Sequence, residues 1–231
     1  CSTNTPVKIT DSKDYDQYLT SKPAKVTSKY FELWNSKIKP DSMQLTSFGI
    51  VAGEYTRFFK ETGNVTYLKR AEKALKRAAD IAAVGKSNYY RALSRNYISQ
   101  HRFKEALVWA EKAEKLGSGL KASRGLLFDV HMELGNYSTA HSYLDLIYNK
   151  EDFGYLIRAS KWQDYKGNLD QAVVLMEKAK RKADAGNNPE TKLWAYTNLA
   201  DFYGHAGRLE ESYQHYLKAL AIDGDNAYAK K

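Results

Sequence analysis

The chain of 231 residues has one cysteine, four prolines and no apolar run near the roughly 18 residues that mark a membrane helix. A single thiol, Cys1, excludes an intrachain disulfide and any site built from two cysteines. The prolines stand at 6, 23, 40 and 189, so 41–188 contains none. So long a stretch without a helix breaker favours helices and argues against a turn-rich β sandwich. Catalytic signatures are missing too. The five histidines (101, 131, 141, 205 and 215) form no HExxH and no pair four residues apart, and there is no nucleophile elbow or glycine-rich phosphate loop. No catalytic residue, metal ligand or cofactor is expected. Acidic residues are the minority, 27 against 36 basic, for a net charge of +9. That balance raises nucleic acid as a partner. Yet lysines alternate with acids in "RAEKALKRAAD" and "EKAKRKADA", with no dense basic block or motif, and the pattern reads better as solvated helix faces. No nucleic-acid partner is expected.

What is present is repetition. "ELGNYSTA" at 133–140 returns as "YKGNLDQA" at 165–172 and, with exchanges, as "HAGRLEES" at 205–212. With the small residue after the glycine as a ruler, five triplets share offsets of zero, four and seven: Ala71/Leu75/Ala78, Ala106/Ala110/Ala113, Ala140/Leu144/Ile147, Ala172/Met176/Ala179 and Ser212/Tyr216/Ala219. Each is one apolar stripe on a helix. The first members are 35, 34, 32 and 40 residues apart, and a second helical stretch precedes each one. A period near 34 with such a stripe marks stacked helical hairpins. Glycine ends the first helix where a left-handed residue is cheapest, and the following asparagine is expected to cap the second. The first unit deviates, because Gly63 stands eight residues before Ala71 instead of five.

Tyr196, Leu199, Ala200, Tyr203, Gly207, Ser212, Tyr216 and Ala219, spread over 193–226, resemble the tetratricopeptide repeat, departing at Gly224 where that family usually has proline. The resemblance implies an all-α, right-handed α-solenoid of about five hairpins (41–84, 87–120, 121–152, 153–186 and 193–226). A polar N-terminal stretch at 1–24 reads as a largely disordered tether. A capping helix at 25–40 would pack Phe31, Trp34 and Ile38 on the first hairpin. A solenoid's last hairpin leaves an apolar face, so Leu199, Tyr203, Tyr216 and Leu220 are expected to be partly exposed, with "NAYAKK" opening a further helix.

The family binds partner peptides on the inner face formed by first helices. Counting back from each turn, Arg57, Arg95, Asp129, Lys161 and Asp201 form one column, and Arg91, Arg158 and Asn198 lie a helical turn earlier. Five of these eight are basic, as a clamp for acidic or C-terminal peptide segments would be, although inner-face residues can equally be merely hydrated. The candidate groove is Arg57, Arg91, Arg95, Arg158, Lys161 and Asn198. The opening "CSTNTPVKITDSKDYDQ" resembles the start of a mature bacterial lipoprotein, which implies a lipid anchor at Cys1 and an outer-membrane, periplasm-facing location. "YISQHRFKEAL" and the C-terminal unit resemble bacterial tetratricopeptide lipoproteins. The role implied is an adaptor for a cell-envelope protein. The alternative is a structural subunit that docks by its convex face or helix ends on an outer-membrane machine.

Overall fold

The computed structural model describes residues 9–20, 27–39, 41 and 43–230; the Cys1 expectation lies outside them. Among the described residues there are twelve α-helices, one 3-10 turn and no strand. The chain divides into two compact units, 24–148 and 1–23 with 149–231.

The 24–148 unit opens with α2 (Lys29–Ser36), capped by the Ser28 hydroxyl, which accepts the Phe31 N–H. Three hairpins follow: α3 (Leu45–Thr62) with α4 (Val65–Ile81), α5 (Lys86–Ser99) with α6 (Phe103–Lys115), and α7 (Leu120–Glu133) with α8 (Tyr137–Leu146). Phe31 reaches into the first hairpin, its ring centroid 5.1 Å from that of Phe58 and 5.3 Å from that of Tyr55. The small residues of the sequence stripe, Ala71, Ala78, Ala106, Ala110 and Ala140, are fully buried. Their size lets paired helices approach closely.

The other unit holds α9 (Phe153–Tyr165) with α10 (Leu169–Ala185), and α11 (Pro189–His205) with α12 (Leu209–Ile222). Its core is Leu156, Val173, Met176, Ala179, Leu199 and Tyr203. To it belongs a strap from the start of the chain: α1 (Ser12–Tyr15) and the 3-10 turn Asp16–Tyr18.

Four turns share one backbone pattern. The N–H groups of His101 and Arg102, Gly135 and Asn136, Gly167 and Asn168, and Gly207 and Arg208 close on carbonyls three and five residues back. That is the Schellman end of a helix, with a left-handed residue at its centre. His101 takes that conformation (φ 55) without being glycine. The first turn differs, since Gly63 N–H bonds only to Phe59 O and the Asn64 side chain caps Thr66 N–H.

Two expectations are corrected. Asn136 and Asn168 occupy the slot before α8 and α10 without capping through their side chains. Their amides turn back instead, to His131 Nδ1 at 3.3 Å and to Gln163 Oε1 at 2.8 Å. The first turn is irregular as expected, and the buried face of α4 carries Leu68 as well as Ala71, five and eight residues after Gly63. Leu68 and Ala71 lie three apart on one helix face, so an apolar stripe alone cannot say which of them sets the register. Finally, Leu199, Tyr203 and Leu220 are buried rather than partly exposed, and of the four only Tyr216 is partly exposed as expected. Residues 224–230 form turns instead of a helix, bring Ala229 against Ala219 and Leu220, and meet Tyr18 of the strap there.

The strap was read as part of a disordered tether, yet its described portion is docked. Tyr213 Oη accepts the Asp11 N–H at 3.2 Å and lies 3.1 Å from Asp11 O and 3.0 Å from Asp14 Oδ2 as acceptors. The Tyr18 ring sits over Gly224, where a β-carbon would come within 3.1 Å of its Cδ1. Exposed hydrogen bonds contribute about 0.5–1.5 kcal/mol each. Ordering backbone costs about 1–2 kcal/mol per residue. The strap is therefore held shallowly, mainly by the Tyr18 ring.

Candidate functional site

The first helices present the sequence-predicted residues, and each unit arranges its own set. In the 24–148 unit, Arg57 on α3 is flanked by acids from its own helix, Glu54 at 2.9 Å and Glu61 at 2.5 Å. Its hydrogen bond to Glu54, joined by that to Glu61, raises the guanidinium pKa against the opposing effect of burial. The column position is therefore locally neutralised. Arg95, six residues before the α5 turn as Arg57 is before the α3 turn, is exposed.

Arg91 is a correction. It is 8% exposed, and its guanidinium donates to Ser118 O at 2.8 Å, to Ser123 Oγ at 3.3 Å and to Asn88 Oδ1. The reason is a one-residue slip. Arg158 and Asn198 stand nine residues before their turn residues, Arg91 stands ten before His101, and Ala92 holds the equivalent place. One residue is about 100° of helix rotation, enough to turn Arg91 from the inner face to the packed one. There it braces the loop between α6 and α7. Gly119 in that loop, at φ +66, makes room for it: a β-carbon would lie 2.8 Å from Arg91 Nη1.

In the other unit, Arg158 and Lys161 stand one turn apart on α9, both partly buried. Arg158 Nη1 donates to Gly154 O at 2.9 Å, which holds the guanidinium along the first turn of α9. Against that same turn lies Trp194 of α11, edge-on to Phe153 at 5.9 Å and still 41% exposed. Asn198 donates its amide to Trp194 O at 2.8 Å and so supports the turn that carries the indole. Asp201, the acidic member of this face, accepts the hydroxyls of Tyr216 and Tyr228. Its charge is thereby turned toward the chain's own tyrosines. Arg158 and Lys161 on α9 are the cationic members of this unit's set, and Trp194 on α11 adds an aromatic ring at the start of α9. Trp194 was missed from the sequence, although its place four residues before Asn198 on α11 was legible.

A second arrangement, also missed, ties first helices to the preceding second helix. Tyr97 Oη donates to Glu72 Oε1 at 2.7 Å, and Tyr203 Oη donates to Glu177 Oε1 at 2.6 Å. Arg102 and Arg208 lie over those two rings at 4.6 and 4.5 Å, each bound to an acid three residues on, Glu105 and Glu211. Burial, with the hydrogen bond to Glu177, pushes the Tyr203 phenol up to about 12. Burial alone would raise the Glu72 carboxyl, but hydrogen bonds from Lys76, Tyr97 and Gln100 outweigh it and hold its pKa below the ordinary value. These clusters are structural ties rather than reactive groups.

The fold is similar to that of several solved structures. The Cut9–Hcn1 hetero-tetramer of APC/C aligns with a TM-score of 0.67 at 15% identity, over 84% of this chain and 36% of the other. The signal transduction ATPase with a tetratricopeptide repeat sensor from Pyrococcus horikoshii aligns at 0.56 and 18% identity, over 94% and 35%. BtubC from P. vanneervenii aligns at 0.51 and 15% identity, over 84% and 87%. The chain thus spans about a third of the length of the first two proteins. No protein-family model matches the sequence, and no curated protein matches it. At such identities the likeness establishes the fold class: all-α, with stacked hairpins of the tetratricopeptide kind.

Proposed function

We propose that the protein is a non-catalytic binding adaptor that holds an acidic or C-terminal segment of a partner protein on its first-helix face. The observation behind this reading is that Arg158 and Lys161 stand a turn apart on α9, while the partly exposed indole of Trp194 packs against Phe153 at the start of that helix. A guanidinium and an ammonium attract carboxylates, the guanidinium in bidentate fashion, while a half-exposed indole supplies the apolar anchor typical of binding hot spots. On the 24–148 unit Arg95 is the exposed basic member of the set, Arg57 is neutralised by Glu54 and Glu61, and Arg91 contributes by fixing the loop rather than by contact.

The test is a capture from native membranes with the full chain, followed by titration of the identified partner's acidic segment. Arg158→Ala with Lys161→Ala is expected to weaken that segment's binding at least about tenfold, since charged hydrogen bonds are worth roughly 1.5–3 kcal/mol each. Unchanged affinity rejects the α9 face and favours docking through the convex surface or helix ends.

The same reading places the adaptor in a bacterial envelope, anchored by lipid on Cys1 to the periplasmic side of the outer membrane. Support for this is the lipoprotein-like opening of the sequence. Labelled palmitate fed to the native host should be incorporated into the precursor's product and not into its Cys1→Ala variant. An unlabelled wild-type product removes the anchor from the proposal.

A further inference from the structure

The strap at 11–19 and the end of the α11–α12 hairpin form a contact that is local in space and remote in sequence, with partners 199 to 202 residues apart. The receiving surface is discrete. It consists of the Tyr213 hydroxyl, which takes one N–H and faces two acceptor oxygens of the strap, and of the gap over Gly224 that the Tyr18 ring enters. Beneath the ring lie Leu220 and Ala229, both buried. The strap itself is lightly held: neither α1 nor the 3-10 turn has a buried residue, and Leu19 beside Tyr18 is 61% exposed.

We propose that this end of the α11–α12 hairpin is a self-recognition surface, occupied in one copy by its own residues 11–19 and, on association, by the same residues of a second copy. The geometry of the contact is indifferent to which chain supplies the strap. Among the described residues, the contacts that hold the strap run between it and the α11–α12 hairpin with its following turn, and no short chain connection enforces them. Cis occupancy is favoured only by tethering, which acts as an effective concentration and yields to mass action as the protein is concentrated. Each copy carries one strap and one receiving surface, so mutual exchange leaves neither unpaired and closes as a dimer. This surface is distinct from the α9 face, and either can fail without the other.

The experiment uses the full chain and a fluorescent peptide spanning residues 9–20. Tyr18→Ser undocks the strap while leaving the receiving surface intact, so this variant is expected to bind the peptide. The unaltered chain, whose own strap competes, is expected to bind it at least about tenfold more weakly. Gly224→Phe added to Tyr18→Ser fills the ring's place and should abolish binding. In light scattering the unaltered chain should pass from one copy to two with rising concentration, and Gly224→Phe should keep it at one. Absence of peptide binding to the Tyr18→Ser chain overturns the proposal, as does equal binding by all three proteins. Peptide binding by a chain that stays monomeric at every concentration overturns the second copy as occupant.

Discussion

Phe58→Ala is expected to destabilise the 24–148 unit by about 3–5 kcal/mol, the usual loss when a buried phenylalanine is cut to a methyl group. Phe58 is fully buried, and three aromatic rings meet its own: Phe31 at 5.1 Å, Tyr67 at 5.5 Å and Tyr55 at 6.2 Å. Because Phe31 belongs to α2, the cavity would also loosen that helix from the first hairpin. Urea unfolding followed by circular dichroism should show the lower midpoint, and hydrogen exchange should show α2 losing protection first. Leu33→Ala, on the exposed side of α2, serves as the comparison and should move the midpoint little. Equal midpoints for the two variants would mean that the aromatic cluster is not the seat of the unit's stability.

The second large effect separates two arginines that a groove reading treats alike. Arg91→Ala is expected to cost about 1.5–3 kcal/mol, because it removes charge-assisted hydrogen bonds and leaves the buried Ser123 hydroxyl without its donor. The acceptors are Ser118 O and Ser123 Oγ in the α6–α7 region and Asn88 Oδ1. Arg95→Ala, at an exposed position one turn on, should stay within about 0.5 kcal/mol of the parent. Thermal unfolding of the two single variants decides the matter. Matching midpoints would falsify the brace and return Arg91 to the binding face.

These two cases also show where the sequence was legible. The hairpins could be read because their turns require a left-handed residue and their stripes repeat at helical spacing, and both signals are local. Register was harder, since Leu68 and Ala71 share a face and an apolar stripe does not distinguish them. Among the site residues, Arg158 and Lys161 could be placed by counting back from Gly167, but the same count slipped by one at Arg91, and one residue on a helix is the difference between a surface and a core. The strap was illegible for another reason. Its residues are polar and hold almost no apolar pattern, and its partners lie about 200 positions away, as the Asp11 to Tyr213 contact does. Nothing in a single sequence links an aspartate and a tyrosine at that distance. The occupation of Asp201 by Tyr216 and Tyr228 was hidden in the same way.

The paired clusters Glu72–Tyr97–Arg102–Glu105 and Glu177–Tyr203–Arg208–Glu211 fall one in each compact unit. Each rivets a first helix to the hairpin before it. At the corresponding positions in the remaining first helices stand Phe59, His131 and Gln163, none of which carries a phenol. The α7–α8 hairpin is joined to α6 by a different set, Arg124 and Tyr143 on Glu114 at 3.2 and 3.3 Å, so the phenol rivet recurs once in each unit rather than at every joint. A lesion at one rivet leaves the other fastened, so damage to the array stays local.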